Sequence, residues 1–265
     1  MSLAFTLLFA LFVGLAIGSF LNVLIVRIPK GENIAFPPSH CPACGNALKW
    51  WHNIPLLSWI ALRGRCAYCQ SPISTLYPAV ELLTGLLFAT VALKTGLNAD
   101  WFVTSLIFAL LLALSVIDFE YYAVPDSLNL TALALALLTP LFLFGWDMAT
   151  GSPHPFDHYQ SMLVTRFEDA AVMAASFFAL GLLVKLAIKK DALGEADIII
   201  AGTMGAMLGF PLVLVAIYIA ALLAIVPALF ARNHMVPFVP FLAMGTWVAY
   251  IFDEPILHWW SSLYA

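Results

Sequence analysis

Carboxylates and thiols are scarce in this sequence, and several of them border apolar runs or come in pairs. Asp118 closes the run Ser105–Ile117, and Asp197 stands directly before Ile198, Ile199 and Ile200. An acid at such a boundary is costly to desolvate and is by default a functional candidate. Two of them brought together cannot easily both ionise, so one keeps a proton while the other stays charged. That pair can hydrolyse a peptide bond: the charged carboxylate takes a proton from attacking water, and the protonated one polarises the carbonyl. Asp197 also has a plainer reading as a helix N-cap. Asp126, between Pro125 and Ser127, is expected to be an N-cap, while Glu120 is expected in a solvated turn and Glu195 in a solvated loop.

The four cysteines form Cys41-Pro42-Ala43-Cys44 and Cys66-Ala67-Tyr68-Cys69, two C-x-x-C knuckles separated by 21 residues. Four thiolates from two tight turns suit one tetrahedral zinc and leave no position open for water or substrate, which makes the expected role structural. Disulfides or free thiols are the alternatives, and a cytoplasmic setting, where thiols stay reduced, favours the metal. His40 and His52 lie nearby but are not needed as ligands.

The elements that carry these groups are membrane helices. The chain has 265 residues, of which 63% are hydrophobic and 10% charged, with mean hydropathy +0.98, far from the balance of soluble domains. Apolar segments fall at about 3–28, 78–97, 101–117, 127–145, 169–189, 197–209, 211–231 and 236–252, and most approach the ~20 residues a crossing requires. The expected fold is therefore an all-α polytopic membrane protein of about eight transmembrane helices. The first segment lacks a basic start and is expected to be a retained span (1–28) rather than a cleaved signal. A Pro- and Cys-rich subdomain (29–77) follows it, and a membrane core (78–265) completes the division.

Placing the N-terminus outside puts Arg27, Lys30, Lys49, Arg63, Arg65, Lys185, Lys189, Lys190 and Arg232 on the cytoplasmic face and leaves Lys94 and Arg166 outside. Both termini are then outside, and loops 29–77, 118–126, 190–196 and 232–235 are cytoplasmic. Asp118 and Asp197 reach the same cytoplasmic boundary, which tips Asp197 from capping towards chemistry. The stretch 146–168 is expected to be a polar outer loop with Trp146, Phe156, Tyr159 and Phe167 at the interface. Segment 197–209, at ~20 Å long, is too short to cross comfortably; its small residues Ala201, Gly205 and Gly209 allow close helix contact. A net charge of −4 without a basic patch sets nucleic acid aside as a partner.

The motifs in order resemble the type IV prepilin peptidases, membrane aspartic proteases. They are Gly18-Ser19-Phe20-Leu21-Asn22-Val23 with Arg27-Ile28-Pro29, the paired knuckles, Asn53-Ile54-Pro55, Ser58-Trp59, and Ile73-Ser74-Thr75-Leu76-Tyr77-Pro78 leading to Glu81. Ile117-Asp118 with Val124-Pro125-Asp126, and Val236-Pro237-Phe238-Val239-Pro240-Phe241-Leu242, complete the match. The resemblance implies cleavage of a short basic leader from prepilins or type II secretion pseudopilins, after a glycine and usually before phenylalanine. It implies Asp118 and Asp197 as the catalytic pair and a bacterial inner membrane location. It also implies N-methylation of the new terminus from S-adenosylmethionine, with Asn22, Asn53 and Glu81 as candidates for binding the amine or the methyl donor. Glu81 has a plainer reading as an acid at a helix N-terminus.

One departure stands out: the family's G-x-G-D is Gly194-Glu195-Ala196-Asp197 here. Alanine resists positive φ, so the turn is expected to have ordinary negative φ and the helix to begin slightly earlier. Two other readings compete with the peptidase. A proton-coupled transporter would use the same carboxylates near the midplane of a repeated half-structure, and a zinc-bearing scaffold would use them only as caps.

Overall fold

The computed structural model describes residues 2–151, 154–189, 194–230 and 236–262; the expected loop positions 190–193 and 232–235 lie outside them. Regular structure among these residues is helical, and two compact units divide the chain at 1–97 and 98–265.

In the first unit, α1 (Leu3–Arg27) packs on α3 (Leu76–Thr95). Lipid offers no hydrophobic drive for this pairing, so backbone approach must supply it. Gly18 does so: a Cβ there would lie 2.7 Å from the Glu81 Cα. Between these helices the chain forms 3-10 turns and the short α2 (Leu57–Ala61). Arg27, at the end of α1, is buried and donates to the Asn33, Ile34 and Pro37 carbonyls, at 2.9, 3.3 and 2.7 Å, pulling the loop after α1 around itself.

The second unit contains α4 (Ala99–Tyr121), α5 (Asp126–Thr150), α6 (Phe156–Ile188), α7 (Glu195–Leu208), α8 (Leu212–Phe230), α9 (Val239–Ile251) and α10 (Asp253–Ser262). Among the described residues six helices, α1, α3, α4, α5, α6 and α8, are long and apolar enough to cross a membrane. The remaining two apolar segments are α7, with 14 residues, and α9, with 13. The shortness of 197–209 is thus real, and α7 sits against α6 at contact distance. A Cβ on Gly205 would lie 2.5 Å from the Asp169 carbonyl oxygen, so only glycine fits.

Three expectations are corrected. The polar outer loop 146–168 is mostly helix, with α5 running to Thr150 and α6 starting at Phe156. Hydropathy falls there, but the helices continue because their ends are stapled: buried Tyr159 donates to Asp147 Oδ2 at 2.5 Å, and its ring meets Phe144 at 5.3 Å. Tyr159 therefore faces protein, whereas Trp146, Phe156 and Phe167 are exposed. Asp126 is the first residue of α5 rather than its N-cap, which is Pro125. Arg166 is no outer-loop charge but a half-buried residue of α6, donating to the Ala136 and Ala206 carbonyls at 3.0 and 3.1 Å.

Candidate functional site

Asp118 lies in the last turn of α4, which Tyr122 ends by taking a left-handed conformation (φ 52°) and donating back to the Asp118 carbonyl. The following link, 122–125, is short, so α5 turns back beside α4. The Asp118 side chain is buried, and its Oδ2 accepts the Val239 N–H at 3.2 Å. Val239 opens α9, whose first N–H groups have no partner within the helix. Pro240, next in that turn, lacks a donor where none is required.

Asp197 occupies the third position of α7 and accepts the Gly194 N–H at 3.1 Å. Gly194 has φ −79° and Ala196 is already helical, so α7 starts two residues before Asp197. Alanine in the family's glycine position therefore carries no strain, and the helix begins early as its chemistry required. Glu195, expected in a loop, is instead the first residue of α7, though exposed. Glu120 is exposed in the last turn of α4.

Both carboxylates thus sit at the N-termini of short helices, Asp118 at α9 and Asp197 in α7, where aligned peptide dipoles favour negative charge. They lie near enough for the charge on Asp197 to act on Asp118. Neither is at the middle of a spanning helix, where a proton-relay transporter would need it, and the transporter reading gains no support.

Sequence reasoning missed Asn129. It is fully buried on α5, and its Nδ2 donates to the Ala196 carbonyl at 3.1 Å, fixing the turn of α7 that carries Asp197. Its Oδ1 has no hydrogen-bond partner, and the amide orientation is settled because only the nitrogen can serve a carbonyl.

In the first unit the four cysteine sulfurs lie within 4.8 Å of one another. The Sγ atoms of Cys41 and Cys69 are 3.9 Å apart, far beyond a disulfide and close to the ~3.8 Å that Zn–S bonds of about 2.3 Å impose on a tetrahedron. The knuckles are two copies of one turn. Cys41 N–H donates to Asn46 and Gly45 N–H returns to Cys41, while Cys66 N–H donates to Ser71 and Gln70 N–H returns to Cys66. Gly45 and Gln70 hold the same left-handed place, at φ 71° and 61°. The backbone N–H groups of Cys44 and Ala43, with the Ser71 hydroxyl, lower the Cys41 thiol from 9.0 to about 6. The thiolate a metal requires is thus favoured before any metal binds. Among the described residues neither His40 nor His52 joins the cluster.

The remaining candidates also fall in the first unit. Glu81 is buried on α3 and accepts the Leu56 N–H at 2.8 Å. Leu56 (φ 61°, ψ −50°) is the centre of a γ-turn closed by Leu57 N–H on the Pro55 carbonyl at 2.6 Å, a strained form that needs outside support. Glu81 supplies that support. Asn22 is buried and donates to the Tyr77 carbonyl at 3.1 Å, tying α1 to α3. Asn53 is exposed, three residues before the γ-turn.

An acid pair at helix N-termini, of which Asp118 is buried and Asp197 half-buried, and four clustered cysteines thus lie on a helical chain with six candidate membrane spans among its described residues. Residues 12–95 match the bacterial peptidase A24 N-terminal domain, and residues 105–229 match the type IV leader peptidase family. Similar proteins include prepilin leader peptidase/N-methyltransferases of Xanthomonas campestris (30% identical over 92% of this chain and 90% of the relative) and Neisseria gonorrhoeae (30%, over 94% and 92%). That of Myxococcus xanthus is 38% identical over 76% of this chain and spans 56% of the relative's length. No solved structure matches significantly. The chain belongs to the type IV leader peptidase family.

Proposed function

We propose that this protein removes the leader peptides of type IV prepilins or type II secretion pseudopilins and methylates the new N-terminus, as the names of its relatives describe for them. The observation that carries the peptidase assignment is the pair Asp118, buried, and Asp197, half-buried, each at a helix N-terminus, with the charge of Asp197 reaching Asp118. The ionised member takes a proton from water, whose oxygen attacks the scissile carbonyl carbon while the protonated member gives its proton to the carbonyl oxygen. Collapse of the tetrahedral intermediate breaks the C–N bond: the proton held by the first carboxylate passes to the leaving amine, and the second carboxylate takes back a hydroxyl proton as the carbonyl re-forms.

Four thiolates would hold one Zn2+ and shape the 29–77 subdomain, since so short a loop cannot bury a core of its own. S-adenosylmethionine, as methyl donor, would supply an electrophilic methyl group when bound. The buried Glu81 carboxylate, with Asn22 beside α3 and Asn53 on the neighbouring loop, suits the cationic amine or that donor. In the membrane, α7 and α9 complete eight crossings with the six long helices. This leaves both termini outside the inner membrane, the acid pair and the cysteine loop on the cytoplasmic side, and lipid around the exposed apolar faces.

Co-expression with a prepilin, followed by gel shift, tests the reading. Asn caps helices about as well as Asp, so Asp118→Asn and Asp197→Asn keep the observed capping bonds and remove only the acid. Loss of cleavage at normal protein level supports the dyad. Full cleavage by either variant refutes it and favours a scaffold in which the aspartates merely cap.

A further inference from the structure

Pro140 lies inside α5 and has no N–H, so the carbonyl four residues earlier, that of Ala136, loses its helical partner. Ala206 lies in the last turn of α7, which ends at Leu208 before Gly209 (φ 64°), and its carbonyl is one of the four that a helix C-terminus leaves free. These two orphaned acceptors, on different helices, are met by a single side chain. Arg166 of α6 donates through Nη1 to both, at 3.0 and 3.1 Å. Asp100 on α4 lies close enough for its charge to act on Arg166. The guanidinium also faces the negative end of the α7 dipole, the favourable place for a cation.

The surroundings leave this clamp little slack. One turn further along α6, the Asp169 carbonyl presses on Gly205, so α7 can neither slide nor roll without a clash. Asn129 on α5 holds the other end of α7 through Ala196. Helix α7 is therefore fixed at its last turn by Arg166 and at its first by Asn129, and Asp197 lies in that first turn.

We propose that Arg166 is a positioning residue for leader cleavage: by bridging the proline-freed carbonyl of α5 and the terminal carbonyl of α7, it sets the axial position of α7 and hence the placement of Asp197 against Asp118. The proposal rests on the dyad reading above. Arg166 touches neither carboxylate, and its effect should fall on turnover rather than on substrate binding. A displacement of about 1 Å at reacting groups can cost up to about a hundredfold in rate.

The test compares Arg166→Met, Arg166→Lys, and Arg166→Met combined with Pro140→Ala, in purified full-length protein, beside Asp197→Asn. Leader cleavage of a prepilin is measured for kcat and KM, and methylation of a leaderless pilin peptide serves as a second readout. Arg166→Met should lower kcat about 10- to 100-fold with KM and methylation within about twofold. Arg166→Lys, a point donor without the planar fork, should fall between it and the parent. Pro140→Ala restores an N–H for Ala136 but no tie to α7, so kcat in the Met background should stay within about twofold of Arg166→Met, and a return to the parental kcat overturns the proposal. A kcat within twofold of the parent in Arg166→Met, with Asp197→Asn inactive, overturns the positioning role and leaves the dyad intact. Equal loss of cleavage and methylation in both the Met and Lys variants reduces Arg166 to general folding support and also overturns it. Cleavage surviving in Asp197→Asn removes the dyad, and this proposal with it.

Discussion

Asp118 and Asp197 each serve a helix as well as the proposed reaction, and the two duties agree. An acid that accepts N–H groups at a helix start is held in one orientation, and a reaction that needs both carboxylates aimed at one carbonyl gains from that. Asn129 extends the arrangement by one bond. Replacing it with Leu removes this bond between α5 and α7 while the Ala196 carbonyl keeps its helical partner, and one such hydrogen bond is worth about 0.5–1.5 kcal/mol. Asn129→Leu is expected to lower thermal stability by about that much and to cut cleavage at least tenfold; unchanged turnover would show that the first turn of α7 needs no anchor. The cysteine cluster carries a pH prediction. A thiol lowered in the fold contributes stability that is present above its ordinary range near 9.0 and is lost as pH falls through about 6. Zinc, whose ligands must be deprotonated, should stay bound at neutral pH and be released as pH falls and protons compete for the thiolates. Release to a chromophoric chelator measures this, and loss already at pH 7.5 would contradict it. The aspartates and cysteines were legible in the sequence because their chemistry marks them. Asn129 and Arg166 were not, since each acts on a carbonyl 67 or 40 residues away, and periodicity does not reveal which neighbour a helix face meets.

At the scale of the element, α7 is where sequence reasoning was tested most closely. Alanine at position 196 implied negative φ and an early helix start, and both are found. The same logic makes Ala196→Gly, the change towards the family pattern, a loss rather than a gain. Glycine in a helical turn costs about 0.5–1 kcal/mol, and its freer backbone has no positive φ to adopt here. The expected outcome is slightly lower stability with kcat within twofold; a clear rise in kcat would mean that the turn is strained after all. Gly205→Ala, by contrast, drives a methyl into the Asp169 carbonyl and should cost about 1–3 kcal/mol. Length was legible in α7 because a hydrophobic run can be counted. The helical continuation through 146–150 and 156–168 was not, because hydropathy reports where the lipid-like stretch stops and not where the hydrogen-bond ladder does. The bond between Asp147 and Tyr159 that sustains it joins two residues whose sequence context reads as loop. Charge counting left the role of Arg166 unseen for a related reason: it sorts cations by their place along the chain, not by the carbonyls waiting for them.

At the scale of the whole molecule, the acid pair lies within one compact unit, and the cysteine centre and Glu81 lie within the other. If each unit carries one activity, they should be separable by mutation. Asp118→Asn is expected to abolish leader removal while methylation of a leaderless peptide stays within about twofold. Cys41→Ser is expected to lose the single zinc per chain, measured by metal analysis, and to depress methylation. Simultaneous loss of both activities in Asp118→Asn, at normal protein level, would argue that the units do not divide the work.

Helices of very unequal length lie side by side in the second unit: α6 has 33 residues, about 50 Å, and α7 has 14, about 21 Å. A hydrocarbon layer of ~30 Å fits neither, and a short helix is accommodated by local thinning of the lipid. On the proposed dyad the lipid then acts on the catalytic geometry, since a thick membrane would pull on the short helix that bears Asp197. Reconstituted in vesicles of increasing acyl-chain length, the protein should turn over fastest in thin bilayers and slow as the chains lengthen. A rate indifferent to chain length would show that the clamped helix is insulated from its solvent.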